Sequence, residues 1–214
     1  MASSSVDFDR LAHQLRNPVT VIRTLARLVR NRLDEDDPNR LLLEAIDREC
    51  RRIDGLLDGE GECAPLDLAA FVAELLPGAE ALARQRGVEL TVATEPLAVV
   101  TDGHLLREVV MGLLENAFKY TPPGGSVHLS SQREGGWAVL RVTDTGPGID
   151  PADLEHIFEP YYRGSRTGSL PGRGLGLAIV RELVERLGGQ IEATSIADTP
   201  GSWFTVRLPL GREP

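Results

Sequence analysis

The 214 residues carry a net charge of −9, with 42% hydrophobic and 26% charged side chains. That is the make-up of a soluble globular protein, either one good-sized domain or a small domain plus a larger one, and its negative surface excludes nucleic acid and anionic membrane as natural partners. No apolar run approaches membrane-spanning length and nothing at the N-terminus reads as a signal peptide, so the expected location is the cytoplasm, with "MASSSVDF" reading as the trimmed start of something longer.

The first sixty residues read as a helical hairpin. Leu11, Leu15, Pro18, Ile22, Leu25 and Val29 step by 4, 3, 4, 3 and 4 residues, which is a heptad seam. "DEDDPNR" (Asp34 to Arg40) then makes an acidic turn, with a proline suited to starting a second helix. Leu42, Ile46, Cys50, Ile53 and Leu57 form that helix's apolar stripe. Two helices alone cannot bury both stripes, so the hairpin is expected to dimerise into a four-helix bundle; the alternative is that it docks on the rest of its own chain. The two cysteines, Cys50 and Cys63, match no zinc or redox spacing and read as reduced thiols.

"DGEGECAP" (Asp58 to Pro65) is a polar, glycine-containing linker. Beyond it, "DLAAFVAELLPGAEALARQRG" reads as helix interrupted by Pro77 and Gly78, "VELTVAT" and "LAVVT" as strands, and Asp102 to Lys119 as a long helix. "GSVHLSSQRE" and "WAVLRVTD" read as a hairpin around Gly135 and Gly136, Leu175 to Leu187 as helix, and "GQIEATSI" and "GSWFTVRLPL" as two last strands. The fold class is therefore α+β: a helical hairpin over residues 1–60, a linker over 61–66, and an α/β sandwich with a mixed sheet over 67–214.

Three stretches of that sandwich can carry chemistry. In "LLENAFKYT", Asn116 and Lys119 are three residues apart and share a helix face. An amide oxygen is a hard ligand suited to Mg²⁺ and an ammonium suits phosphate, and Lys119 is the only lysine in a chain otherwise supplied with arginine. In "VTDTGPGID", a strand ends at Asp144 and is followed by Gly146 and Gly148; a carboxylate there can accept from an exocyclic amine such as adenine's. In "GRGLGLAIV", Gly172, Gly174 and Gly176 lead into an apolar helix whose first N–H groups point at anions. Between the last two lies "FEPYYRGSRTGSLPGR", long and polar around aromatic anchors, in the manner of a mobile lid. Each alone has a plainer reading: a solvated helix face, a strand-to-helix turn, a flexible loop.

Together, in this order and at these separations, the motifs resemble the N, G1, F and G2 boxes of the ATP-binding domain of sensor histidine kinases. That domain belongs to the ATPase superfamily shared with DNA gyrase, the Hsp90 chaperones and the mismatch-repair ATPases. The resemblance covers roughly Asp67 to Leu210, and the N-terminal hairpin, with "HQLRNP", resembles the family's dimerisation and phosphotransfer domain. Within the family the chain looks most like the cyanobacterial and chloroplast-type kinases. The resemblance implies Asn116 as Mg²⁺ ligand, Lys119 as phosphate contact, Tyr120 as neighbour of the nucleotide and Asp144 as adenine carboxylate in a turn shaped by Gly146 and Gly148. It implies Phe158 as the lid's aromatic anchor, Gly172, Gly174 and Gly176 on the phosphate side, His13 as phosphoacceptor and Asn17 as the residue orienting water for dephosphorylation. ATP and Mg²⁺ are the cofactors it implies; the partners are a second copy of the chain and the receiver domain of a response regulator. Two positions depart from the pattern: Gly112 stands where the family usually has a second asparagine, and Gln14 where it commonly has an acid. A plain ATPase or ATP-driven clamp, and an impaired nucleotide-binding scaffold, remain as alternatives.

Leu11 and Leu15 each lie two residues from His13, about 200° of helix rotation, so His13 faces away from the seam. A partly neutral imidazole in solvent is an available nucleophile. Asp9, four residues earlier on the same face, is a candidate for the acid missing at Gln14.

Overall fold

Three aspartates set where helices begin. The Asp37 carboxylate accepts the N–H of Asn39 at 2.8 Å, Asp67 that of Ala70 at 2.8 Å, and Asp102 those of His104 and Leu105 at 2.8 and 3.2 Å. The helices they open are α1 (Asn39–Leu57), α2 (Leu68–Arg86) and α3 (Gly103–Tyr120). This computed structural model describes residues 18–19, 21–23, 25–26, 29–30, 32–34, 37, 39–57, 63–167, 174–195 and 201–210, in two compact units, Met1–Glu62 and Cys63–Pro214. No helix among them is long and apolar enough to cross a membrane.

In the first unit the described residues between 18 and 30 are helical, and α1 follows. Val19 and Ala26, a heptad apart, are buried, as are Asp47 and Cys50 on α1. The expected seam residues Ile22, Leu25 and Val29, and Leu42, Ile46 and Ile53 of α1, are exposed. The α1 stripe thus splits, Cys50 inward and its neighbours outward.

The second unit starts with a strand inside the expected linker, β1 (Ala64–Asp67), which pairs antiparallel with β3 (Ala98–Thr101), Ala64 opposite Thr101. Helix α2 runs without a break through Pro77 and Gly78, where an interruption was expected. Ala73, whose carbonyl Pro77 cannot serve, lies on the exposed side with Pro77 and Gly78. Leu68, Phe71, Val72, Leu75, Ala79 and Ala83 line the buried side on both sides of it. At roughly 1.5–3 kcal/mol per large side chain, their burial outweighs the ~3 kcal/mol cost of an internal proline. A Cβ on Gly78 would meet nothing within 4 Å. Gly78→Ala is therefore expected to stabilise the domain by about 1 kcal/mol in denaturant melts; a destabilised variant would mean that this stretch is not a regular helix.

A five-stranded sheet completes the unit, in the order β2-β4-β5-β7-β6. Its strands are β2 (Glu89–Thr94), β4 (Ser126–Glu134), β5 (Trp137–Asp144), β6 (Gln190–Thr194) and β7 (Trp203–Pro209). β2 and β4 are parallel and the other neighbours antiparallel, so the sheet is mixed. Helix α4 (Gly176–Arg186) precedes β6. Alternation along β5 and β7 sends Ala138, Leu140, Val142, Phe204, Val206 and Leu208 into one core with the buried faces of the helices. The other face carries ion pairs such as Arg207–Glu192 at 2.7 Å.

Candidate functional site

The alternation that buries Ala138, Leu140 and Val142 also places Asp144 on the core side, where it is 4% exposed. A carboxylate there needs hydrogen bonds. One oxygen accepts the N–H of Gly146 at 2.8 Å, the other accepts the hydroxyl of Ser202, and the backbone N–H of Asp144 donates to the Ser202 carbonyl at 3.0 Å. Burial pushes this carboxyl above the usual range; the bonds from Ser202 and Gly146 pull the other way without cancelling it.

The turn after Asp144 closes over that carboxylate because residue 146 has no side chain. A Cβ on Gly146 would lie 2.8 Å from the Asp144 carboxylate and 3.0 Å from the carbonyl of Tyr120. The end of α3 and the Asp144 turn therefore meet. Asn116, Lys119 and Tyr120, all half-buried, occupy the last turns of α3, and the Lys119 ammonium lies 4.9 Å from the centre of the Tyr120 ring. A groove of 590 Å³ opens beside this junction, lined among others by Arg86, Lys119, Tyr120, Thr145 and Pro147. Gly148, at φ +73°, is crossed by Ser195, whose hydroxyl accepts the N–H of Ile149 at 2.9 Å and donates to the Gly201 carbonyl at 3.0 Å.

Phe158 packs edge-on against Phe204 of β7, ring centres 6.5 Å apart, at the end of a run of turns from Pro151. Tyr161 follows at φ +67°, 68% exposed, and its N–H donates to the carbonyl of Gly174 at 2.8 Å. Gly174 is itself at φ +67°, with its Cα packed on the backbone of Tyr161 and Tyr162. Leu175 makes no side-chain cap for α4, so the first N–H groups of that helix, at Gly176, keep their pull on an anion. Gly112 lies where α3 meets α4: a Cβ there would come within 2.9 Å of Val180. A side chain at this position, where the family usually has a second asparagine, would therefore crowd Val180 of the neighbouring helix.

A half-buried amide, a lone ammonium, a buried carboxylate and a helix start without a side-chain cap thus all lie in one α/β sandwich. Residues 101–212 match the family described as "Histidine kinase-, DNA gyrase B-, and HSP90-like ATPase", and residues 8–59 match the His Kinase A (phospho-acceptor) domain. The chain belongs to the histidine kinases. Sensor histidine kinase Hik2 of Synechocystis sp., a cyanobacterium, is 37% identical over 95% of this chain, which spans 58% of that relative's length. A solved mycobacterial sensor histidine kinase, MprB, is 35% identical, with a TM-score of 0.61 over 68% of this chain and 97% of that one. ShkA, solved full-length in complex with AMPPNP, is 25% identical, with a TM-score of 0.62 over 95% of this chain and 45% of that one.

In this histidine kinase the structure brings Tyr120, Asp144, Gly146 and Gly148 together, with Asn116 and Lys119 on the same helix end; Phe158 lies at the start, and Gly174 and Gly176 beyond the end, of the stretch expected as a lid, whose residues 168–173 lie outside the described ones. His13, Gln14, Asn17, Asp9 and Gly172 lie outside the described residues. Sequence reading missed Ser195 and Ser202, which brace the Asp144 turn from 46 and 58 residues away. Only a serine beside Gly201, at the start of a strand, hinted at either.

Proposed function

We propose that the chain is the catalytic core of a sensor histidine kinase that moves the γ-phosphoryl group of ATP to His13 and then to an aspartate of a response-regulator receiver domain. The observation that carries this is the presence, in one chain, of a phosphoacceptor-type hairpin and a sandwich with a buried adenine-type acceptor. A gyrase- or chaperone-type clamp has no use for the hairpin, and the ATPase reading is not favoured. Asp144 accepts from the adenine amine, Lys119 and the α4 N-terminus neutralise the triphosphate, and Asn116 offers an amide oxygen. Among the described residues no group of three or more His, Cys, Asp or Glu side chains could hold a metal. The half-buried Asn116 amide oxygen is the hard donor that would help hold Mg²⁺; bound there, the ion would neutralise charge on the phosphates.

A His13 ring nitrogen attacks the γ-phosphorus, the bond to the β,γ-bridging oxygen breaks, ADP leaves, and the imidazole N–H proton passes to solvent. The P–N bond later breaks as a receiver carboxylate oxygen takes the phosphoryl group. Asn17, one helical turn on, can orient water for the reverse task of dephosphorylation. The exposed Ile22, Leu25, Val29, Leu42, Ile46 and Ile53 supply the surface for a homodimeric four-helix bundle. With γ-labelled ATP, the parent is expected to acquire acid-labile, base-stable label and His13→Gln none. Label that persists in His13→Gln, or ATP turnover without label in the parent, would sink the reading.

A further inference from the structure

Asp153 has no part in the roles above, yet it is 7% exposed. Its carboxylate is taken up entirely by a short stretch of chain further on. The Tyr162 hydroxyl donates to one oxygen at 2.7 Å, and Ser165 donates its N–H at 2.7 Å and its hydroxyl at 2.8 Å to the other. Gly164 stands between these donors, where a Cβ would lie 3.0 Å from the second oxygen, so a side chain there would crowd the carboxylate. These bonds, Tyr162 foremost, hold the carboxyl below its usual range.

On its own side Asp153 is fixed by the backbone. Its N–H donates to Asp150 at 2.8 Å, and its carbonyl accepts from His156 and Ile157 at 2.9 and 3.0 Å. Ile157 is buried, and Phe158 meets Phe204. The next lid residue, Arg166, donates to the Pro147 carbonyl at 3.2 Å and pairs with Asp150 at 3.8 Å. Residues 162–166 are thereby fastened to residues 147–153, the run that leaves the Asp144 turn. The neck between Tyr161 and Gly174 fastens the far side.

We propose that Asp153 is a positioning residue: it holds residues 162–166 in register with the adenine turn, so that the chain beside the Tyr161–Gly174 neck and the start of α4 is set before nucleotide arrives. The inference rests on the ATP reading above. A segment already held beside the start of α4 loses less freedom when phosphates bind there. Adenosine, which has no phosphates, gains nothing from it. Loss of Asp153 therefore weakens triphosphate binding and leaves nucleoside binding alone, a split that general damage to the fold does not produce.

The test is calorimetric titration of the whole chain with adenosine and with Mg²⁺ and a non-transferable ATP analogue. Asp153→Ala is expected to bind the analogue roughly tenfold or more weakly, with adenosine affinity and unfolding temperature close to the parent's. Asp153→Asn keeps an oxygen for Ser165 and offers amide hydrogens to the Tyr162 oxygen, and is expected to stay within about threefold of the parent. Equal losses for both ligands in Asp153→Ala, no loss for either, or an asparagine variant as weak as the alanine one would each overturn the positioning role. A parent that binds neither ligand overturns the ATP reading itself, and the role of Asp153 with it.

Discussion

Asp144→Asn is expected to bind ATP at least ~100-fold more weakly than the parent, to lose the preference for ATP over GTP, and to unfold no more easily. The first two results follow from hydrogen-bond polarity. The adenine amine is a donor and needs an acceptor; the asparagine amide places its own N–H₂ where one carboxylate oxygen stood, so two donors face each other in a buried site. The third follows from linkage. Burial raises the Asp144 pKa in the folded chain above the ordinary value of 3.8, so between 3.8 and the raised value the folded state binds more protons than the unfolded one. Stability then falls as pH rises through that window, and at neutral pH the ionised carboxylate costs the fold stability. An amide removes that cost and keeps an oxygen for Gly146 and a group for Ser202. In the parent, ATP affinity should fall as the pH is lowered through the raised pKa, because the protonated acid is a poorer acceptor. Thermal unfolding and calorimetry with ATP and GTP at neutral pH check both halves. An unchanged ATP preference would take Asp144 out of the adenine role.

Gly174→Ala and Gly176→Ala are expected to fail in different ways. At Gly174 the new methyl group would run into the carbonyl of Tyr162 and lie 2.7 Å from the carbonyl carbon of Tyr161, in a left-handed conformation that costs an L-residue a further ~1–2 kcal/mol. The neck between Tyr161 and Gly174 must open, and phosphotransfer to His13 should drop about 100-fold or more as the lid loses its place. Neither residue of that neck belongs to the buried core, so the unfolding transition should move little. At Gly176 nothing lies within 4 Å of a Cβ, and alanine is the better helix former by about 1 kcal/mol. The free protein should gain stability, while a methyl group at the start of α4 stands where the phosphates approach. Triphosphate binding should therefore fall and adenosine binding should not. A Gly176→Ala variant that binds ATP as the parent does would show that the phosphates pass elsewhere.

Much of the fold was legible because it is local. The hairpin turn at Gly135–Gly136 and the start of α3 at Asp102 both rest on contacts within a few residues. Strand β1 was not legible: "APLD" is short, largely exposed and contains proline, and it is a strand only because β3 lies beside it, with Asp67 opposite Ala98 and Ala64 opposite Thr101. The proline in α2 misled because its face, not its presence, decides its effect, and the face is set by Leu75 and Ala79. The same division holds at the site. Asp144, Gly146 and Gly148 announce themselves by spacing, whereas Ser195 and Ser202 have their meaning only through partners 46 and 58 residues away, and Asp153 only through a loop that folds back on it.

The strand order β2-β4-β5-β7-β6 also has a bearing on how the protein is born. β5, which ends in Asp144, has β4 beside it at once, but its other neighbour is β7, the last of the described strands to leave the ribosome. The pairing spans a long stretch of chain and is slow to close on entropy alone. Until β7 arrives, Asp144 has no Ser202, the turn at Gly148 lacks the Gly201 carbonyl that Ser195 binds, and Phe158 has no Phe204 to rest on. The hairpin that carries the histidine is by then long since synthesised. Translation therefore delivers the stretch that matches the phospho-acceptor domain first and the strand that completes the ATPase-type sheet last.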